Sequence, residues 1–211
     1  MTYIPKAFAT TVDAAWAMIE RVGVGHLITH GPDGFDATFL PLLPDRTPGV
    51  VRAHVARANP IWTTIGPDGT DAFLIVTGVD GYVSPTWYPS KTDTGEVVPT
   101  WNYELVHVRG RLTVHDDVVT VASIVRALTD RQEAGRANAW SVDDAPTDYL
   151  ARMHRAIVGL ELAVTSIEGK DKLSQNRTDA DAYGAASALE AAGTEREQLH
   201  AAAVRRARSR P

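Results

Sequence analysis

The segment from Glu104 to His115 places the tightest constraint on the fold. Val106, Val108, Gly110, Leu112 and Val114 fall on one side of an extended chain, and His107, Arg109, Arg111, Thr113 and His115 on the other. This period of two suits a strand with one buried face and cannot line one face of a helix. Val50 to Ala56 repeats it, with Val51, Ala53 and Val55 opposite Arg52 and His54. Val24 to His30 and Phe35 to Leu43 read as two strands joined by the turn signal Pro32-Asp33-Gly34. Ala72 to Val79 is continuously apolar, as expected of a strand buried on both faces. Ile157 to Ile167 reads as the last strand.

Between these lie helical signals. Thr10 or Thr11 can cap a helix striped by Ala15, Met18, Ile19 and Val22 and ended by Gly23. Asn59-Pro60 starts a short helical turn. Asp116 or Asp117 opens a helix carrying Val118, Val121, Val125 and Leu128, and another helix runs from Thr147 to Arg155. Thr178 or Asp179 opens an Ala-rich helix that Gly193 stops, and a second runs from Glu195 to Arg206. Successive antiparallel-type strands, with helices before, between and after them, predict an α+β fold with a closed or nearly closed barrel. The expected organisation is a barrel domain over residues 1–177 and a C-terminal helical extension over 178–211.

With 211 residues and a hydrophobic fraction of 44%, the chain can build one core of ordinary size. A net charge of −5 argues against general nucleic-acid adhesion. From Thr194 to Pro211, however, five Arg stand against two Glu, 5 − 2 = +3. That tail is either a contact for an acidic partner or a solvated, fraying end. The absence of Cys removes disulfides, thiolate metal sites and a Cys nucleophile. Met1 to Lys6 has no apolar stretch of the kind a signal peptide needs, and no apolar run approaches the roughly 20 residues of a spanning helix. The expectation is a cytoplasmic protein without a membrane anchor. Gly-x-Ser-x-Gly, His-Glu-x-x-His, Walker and Gly-x-Gly-x-x-Gly signatures are missing. The seven His are not spaced as ligands on a helix, so no metal is expected.

Three stretches carry chemistry. Between Tyr82 and Tyr103 the chain places two of its five Trp and three of its six Tyr, mixed with Ser, Thr, Asn and Lys. Such a mixture suits a wall that stacks on a flat ligand and hydrogen-bonds its edge, although each ring alone could simply cap a sheet. His54-Val55-Ala56-Arg57-Ala58-Asn59-Pro60 lies where a strand yields to a turn. There, free N–H groups and the Arg57 fork suit a phosphate. The competing reading pairs Arg57 with a carboxylate and makes Asn59 the cap before Pro60. Lys172-Leu173-Ser174-Gln175-Asn176-Arg177 places five hydrogen-bonding side chains in six positions, as a ligand contact or as a solvated loop.

These stretches, with Tyr3-Ile4-Pro5-Lys6, Tyr82-Val83-Ser84-Pro85-x-Trp87-Tyr88-x-x-Lys91, Val98-Pro99-Thr100-Trp101-Asn102-Tyr103 and His107-Val108-x-Gly110, occur in one order that resembles the PaiB-type FMN-binding transcriptional regulators. That family belongs to the FMN-binding split-barrel group, which includes the pyridoxamine phosphate oxidases. The resemblance implies a split β-barrel and a homodimer with FMN in a groove between subunits. Carried onto this sequence, it puts the FMN phosphate at His54, Arg57, Ala58 and Asn59. Thr38, Leu40 and Pro41 would border the isoalloxazine, and Trp101 and Asn102 would approach the ring. Lys91, Lys172, Gln175 and Arg177 would close the site, from this subunit or its partner. The Arg-x-x-x-x-Lys phosphate pair that looks typical of the oxidases is absent from the second strand, where Ala37 to Leu42 stands, so the oxidase pocket does not carry over.

Two functions follow from the resemblance. One is a flavin-dependent or flavin-sensing regulator; the other is a flavin oxidoreductase for a small organic substrate. A barrel that has recruited haem is a third, which nothing in the sequence favours. No catalytic residue stands out, and Tyr88, His54 and Lys91 are candidates only as proton carriers. DNA is a weakly supported partner, reachable only through His107, Arg109, Arg111 and His115 or through the Arg tail. The tail after Gly193 lies outside the resemblance and is expected to be dispensable for FMN binding.

Overall fold

The computed structural model describes residues 2–209. Strands β1 (Val24–Gly31) and β2 (Gly34–Pro41) form an antiparallel hairpin in which His26 faces Phe39 and His30 faces Phe35. The single strand expected from Phe35 to Leu43 breaks at Leu42, which is buried. Beyond it, β3 (Leu43–Asp45) pairs with β4 (Val50–Ala56). Three long strands follow: β5 (Thr70–Val83), β6 (Thr100–His115) and β7 (Ile157–Lys172). The sheet order is β2-β1-β5-β6-β7-β4-β3, and the β1–β2, β1–β5, β3–β4 and β4–β7 pairings are antiparallel. Seven strands and six α-helices among the described residues make this the α+β fold the alternation predicts.

The chain divides into two compact units. One comprises Trp16–Val76 and His107–Ile167, and the other Met1–Ala15, Thr77–Val106 and Glu168–Pro211.

In the first unit the alternation of β6 holds. Val108 and Leu112 are buried, while His107 and Arg109 are half-buried on the opposite face. Burying one such Leu contributes roughly 1.5–3 kcal/mol. Gly110 keeps the inward face because a Cβ there would lie 2.3 Å from the Ala163 carbonyl oxygen on β7. Helix α3 (Val118–Glu133) opens on Asp117, whose side chain accepts from the Thr120 N–H at 2.8 Å, and buries Val121, Ile124 and Leu128. Helix α4 (Thr147–Arg155) follows. β2 and β4 are far apart in the sheet order yet lie close together, so this part of the sheet curls toward closure. One expectation fails here. β5 is not covered on both faces: Ala72, Leu74 and Val76 are buried, but Phe73 and Ile75 are only half-buried. Phe73 instead packs beside the His107 ring, with the Arg109 guanidinium 5.0 Å from its centre. The outward side of the hairpin is open too, with Phe35 83% exposed.

In the second unit, α2 (Ser90–Asp93) is a single turn held by Asp181, which accepts from the Ser90 N–H at 3.1 Å and the Ser90 hydroxyl at 2.8 Å. Asp181 belongs to α5 (Asp179–Ala192), which is capped by Thr178 and ended by Gly193 at φ +81°. Helix α6 (Glu195–Arg208) is capped by Thr194. The solvated, fraying end does not occur over these residues. His200, Ala201, Ala203, Val204 and Ala207 are buried, and Ala201 and Val204 pack with Ala182, Ala186 and Leu189 of α5. Small Ala side chains let two helices approach closely enough to bury a face that looks only weakly apolar in sequence. Helix α1 (Val12–Val22) runs from this unit into the other. No helix among the described residues is long and apolar enough to cross a membrane.

Candidate functional site

The predicted site residues fall in both units. Thr38, Leu40 and Pro41 lie on β2, His54 lies on β4, and Arg57, Ala58 and Asn59 form the turn after it. Trp101 and Asn102 lie on β6 and Lys172 ends β7. Gln175 and Arg177 follow Lys172, and Lys91 is exposed on α2.

The turn after β4 is built by its own donors. The N–H groups of Arg57, Asn59 and Ile61 are taken by the Ala156 carbonyl, the Ala56 carbonyl and the Asn59 side chain, and the last bond caps the 3-10 turn Pro60–Thr64. The Asn59 amide also donates to the Thr38 hydroxyl at 3.3 Å, joining β2 to the turn. Arg57 donates through Nε to the Arg155 carbonyl at 2.7 Å, and through Nη2 to the Ile157 carbonyl at 3.2 Å and to Asp116. Its hydrogen bond holds the Asp116 carboxyl below the usual carboxylate range. The Trp62 ring lies 5.6 Å from the guanidinium and its indole N–H donates to the Arg57 carbonyl. The Arg57 side chain is therefore fixed, with Nη1 left over for a ligand. His54 Nδ1 is buried without a partner, and burial pushes this imidazole below its ordinary value, so it is neutral at pH 7.

The other unit gathers a polar group around the chain after β7. Lys172 donates to the Thr100 hydroxyl at 2.6 Å and the Trp101 carbonyl at 3.0 Å. Fully buried Asn102 donates to the Ser174 hydroxyl at 3.1 Å. Ser174 has φ +67°, and no other non-glycine among the described residues has a positive φ. Gln175 is turned inward: its amide oxygen accepts from the Leu173 N–H, and its amide nitrogen donates to the Asp171 carbonyl. Arg177 lies 4.9 Å from the centre of the Tyr88 ring. The Tyr88 hydroxyl is buried without a hydrogen-bond partner, and burial pushes the phenol up against the opposing pull of Arg177. Half-exposed Trp101 donates its indole N–H to Asp80 at 3.1 Å, with its ring 6.4 Å from that of Tyr82. A cavity of about 430 Å³ opens here, lined by Tyr82, Trp87, Trp101, Asp80 and His200.

Several contributors escaped sequence reasoning. Asp116, Trp62 and Asp80 orient candidate residues from sites that carry no motif. Buried Glu104 accepts from the Val79 N–H at 3.1 Å and from Arg206 at 2.6 Å. Only strict continuation of the β6 alternation back to Asn102 would have signalled that Glu104 points inward.

An antiparallel split barrel with helices around it is a fold of flavin-binding proteins, and the comparisons place the chain there. A family model described as "Putative FMN-binding domain" matches residues 2–166. Protease synthase and sporulation protein PAI 2 of Bacillus subtilis is 30% identical over 182 residues, covering 85% of this chain and 84% of that protein. An uncharacterised protein of Aspergillus fumigatus is 31% identical over 184 residues, 72% of this chain and 70% of the relative. Among solved structures, the FAD and heme binding protein from Mycobacterium smegmatis superposes with a TM-score of 0.59 at 18% identity, covering 90% of this chain and 81% of that one. The flavocytochrome Anf3 from Azotobacter vinelandii gives 0.59 at 15% identity, covering 81% and 72%. The chain belongs to the PaiB-type family of FMN-binding split-barrel proteins. FMN is the cofactor that goes with this family, and the residues present suit its phosphate. The Arg57 Nη1 group is a donor without an assigned acceptor, and the unpartnered His54 Nδ1 can donate in the tautomer that carries its proton there.

Proposed function

We propose that this chain is a cytoplasmic, homodimeric FMN-binding regulator that responds to flavin or to its redox state. The observation that carries this reading is its likeness to PAI 2 across 84% of that protein, whose name refers to protease synthase and sporulation and to no redox reaction. Arg57, His54 and Asn59 would hold the phosphate, with Thr38, Leu40 and Pro41 beside the ring system. Leu40 is buried and would act only by shaping the backbone there. Trp101, Lys172 and Arg177 would contact flavin through their accessible edges, in this subunit or its partner. Asn102 and Gln175, whose amides are committed internally, would support their neighbours, and exposed Lys91 would reach the ligand from α2. Exposed Phe35 and Phe39, with half-buried Phe73, offer an apolar face for a second copy.

Direct DNA reading finds little support in the basic residues. Arg196, Arg205, Arg206 and Arg208 each pair with a carboxylate, on Asp80, Glu190, Glu104 and Asp179 respectively. Arg111 pairs with Asp71.

The alternative is an oxidoreductase. It is favoured by the aromatic cavity at Tyr82, Trp87 and Trp101, which has room for a small flat substrate. Bound FMN would supply the hydride and electron chemistry, while these rings would orient the substrate and exclude water.

The test begins with the absorbance spectrum of purified protein before and after FMN addition and desalting. Retained flavin bands are expected. A colourless protein that does not hold FMN sinks both readings, and a Soret band would point to haem. Arg57→Ala should weaken FMN binding roughly tenfold or more; an unchanged Kd removes Arg57 from the phosphate site. Flavin-loaded protein given NADH or NADPH and a quinone separates the two functions. Turnover above that of free FMN favours the oxidoreductase, and its absence the regulator.

A further inference from the structure

We propose that Arg208 is a positioning residue for the Lys172–Arg177 segment, so that α6 belongs to the framework of the flavin site. The proposal rests on the reading that this segment contacts flavin. The segment has two bonds of its own, from the Leu173 N–H to the Gln175 amide oxygen and from the Arg177 N–H to the Ser174 carbonyl, and the rest of its support comes from outside. Ser174 sits in left-handed backbone that a non-glycine residue adopts only when its surroundings over-determine it. Asn102 braces it from β6 through the Ser174 hydroxyl. The second brace comes from α6. Arg208 donates through Nη1 to the Gln175 carbonyl at 3.1 Å, through Nη2 to the Arg177 carbonyl, and pairs with Asp179 at 3.0 Å. One planar guanidinium thus joins two carbonyls two residues apart and the first residue of α5. Its side chain is only 14% exposed, so water competes weakly for the two carbonyl bonds, while the Asp179 carboxylate lies open to solvent.

Apolar packing acts in the same place. Leu173, fully buried, packs with Ala203 and Ala207 of α6. Arg177 is thereby fixed through its own carbonyl while its guanidinium stays over Tyr88. The geometry needs a fork, and Lys, with a single ammonium centre, cannot reproduce it.

The test uses the full chain with Arg208→Ala and Arg208→Lys. FMN titrations followed by flavin fluorescence should show affinity weakened about tenfold for Arg208→Ala and by less for Arg208→Lys. Millimolar guanidinium should restore affinity to Arg208→Ala and leave the parent unchanged. A merely structural loss would not be rescued in this way. Hydrogen exchange without flavin supplies the independent reading. Amides 173–178 should exchange faster in both variants, with Val108 and Leu112 as protected as in the parent. Unchanged exchange at 173–178 overturns the positioning role whatever FMN does. Faster exchange with an unchanged FMN Kd overturns the link to the flavin site. A parent that binds no FMN while its variants show the faster exchange breaks the flavin reading and overturns that link with it, leaving the brace itself established.

Discussion

The inward face of β6 changes chemistry along its length while its geometry stays the same. From Val106 through Val108 and Gly110 to Leu112 it is apolar and buried. Two and four residues before Val106 the same face carries Glu104 and Asn102, which are 1% and 0% exposed. The apolar stretch is stabilised by burial, which has no direction and tolerates approximate fit. The polar stretch is held by specific bonds, from Asn102 to Ser174 and from Val79 and Arg206 to Glu104. Such bonds add little net stability, yet breaking one of them leaves a buried group unsatisfied. The apolar end therefore makes the fold persist, and the polar end braces the conformation of the neighbouring segment 172–177.

The largest expected effect lies at the apolar end. Leu112→Ala should lower stability by about 2–5 kcal/mol in urea denaturation, because the pleated strand cannot collapse fully into the space. FMN affinity of the folded fraction should be unchanged. A loss under about 1 kcal/mol would mean that the apolar stretch is looser than its burial indicates. Glu104→Gln tests the other end. It preserves shape and removes the charge facing Arg206, and should cost about 1–3 kcal/mol. A double-mutant cycle with Arg206→Met isolates the pair. If Glu104→Gln proves costlier than Leu112→Ala, the division between stability and specificity along β6 does not hold.

The same contrast explains what the sequence made legible. The alternation from Val106 to Leu112 and in β4 needed only the period of side chains in a strand, and both strands formed as expected. The extensions of β5 to Val83, of β6 back to Thr100 and of β7 to Lys172 were not visible. In β6 and β7 the buried positions added are Asn102, Gly169 and Asp171, which carry no hydrophobic period, and in β5 the buried Val83 is separated from Val76 by six residues that are not buried. The ordered motifs pointed to the family that the comparisons identify. They could not show which polar groups remain available. The Arg57 fork is mostly spent on Asp116 and two carbonyls, and both ends of the Gln175 amide on its own segment. Such commitments depend on partners about 60 to 100 residues distant, or on a backbone turn that local composition does not specify. The burial of α6 was missed because a face of Ala looks weak until a second helix with small residues lies against it.

The smallest expected effect separates the two units by pH. Each holds a His that burial pushes below the ordinary 6.5: His54 in one, His200 in the other. Around His200, Asp80, Glu104 and Glu197 pull upward and Arg196 downward, and burial prevails. In the unfolded chain both imidazoles take up protons near 6.5, and in the folded chain they resist until lower pH. Stability is therefore fully present above about pH 6.5 and declines as pH falls from there toward the depressed folded values, by at most about 1.4 kcal/mol per pH unit for each group. Melting temperatures from pH 8 to 5 should fall on the acid side, and His54→Gln or His200→Gln should each flatten the profile in part. A parent profile flat from pH 7.5 to 5.5 would show that neither imidazole resists protonation. FMN sharpens the comparison, because a phosphate beside His54 would favour its protonated form and restore its pKa, whereas His200 would gain nothing. Flavin should then flatten the acid decline in His200→Gln and leave it intact in His54→Gln. The reverse pattern would move the phosphate away from the turn after β4.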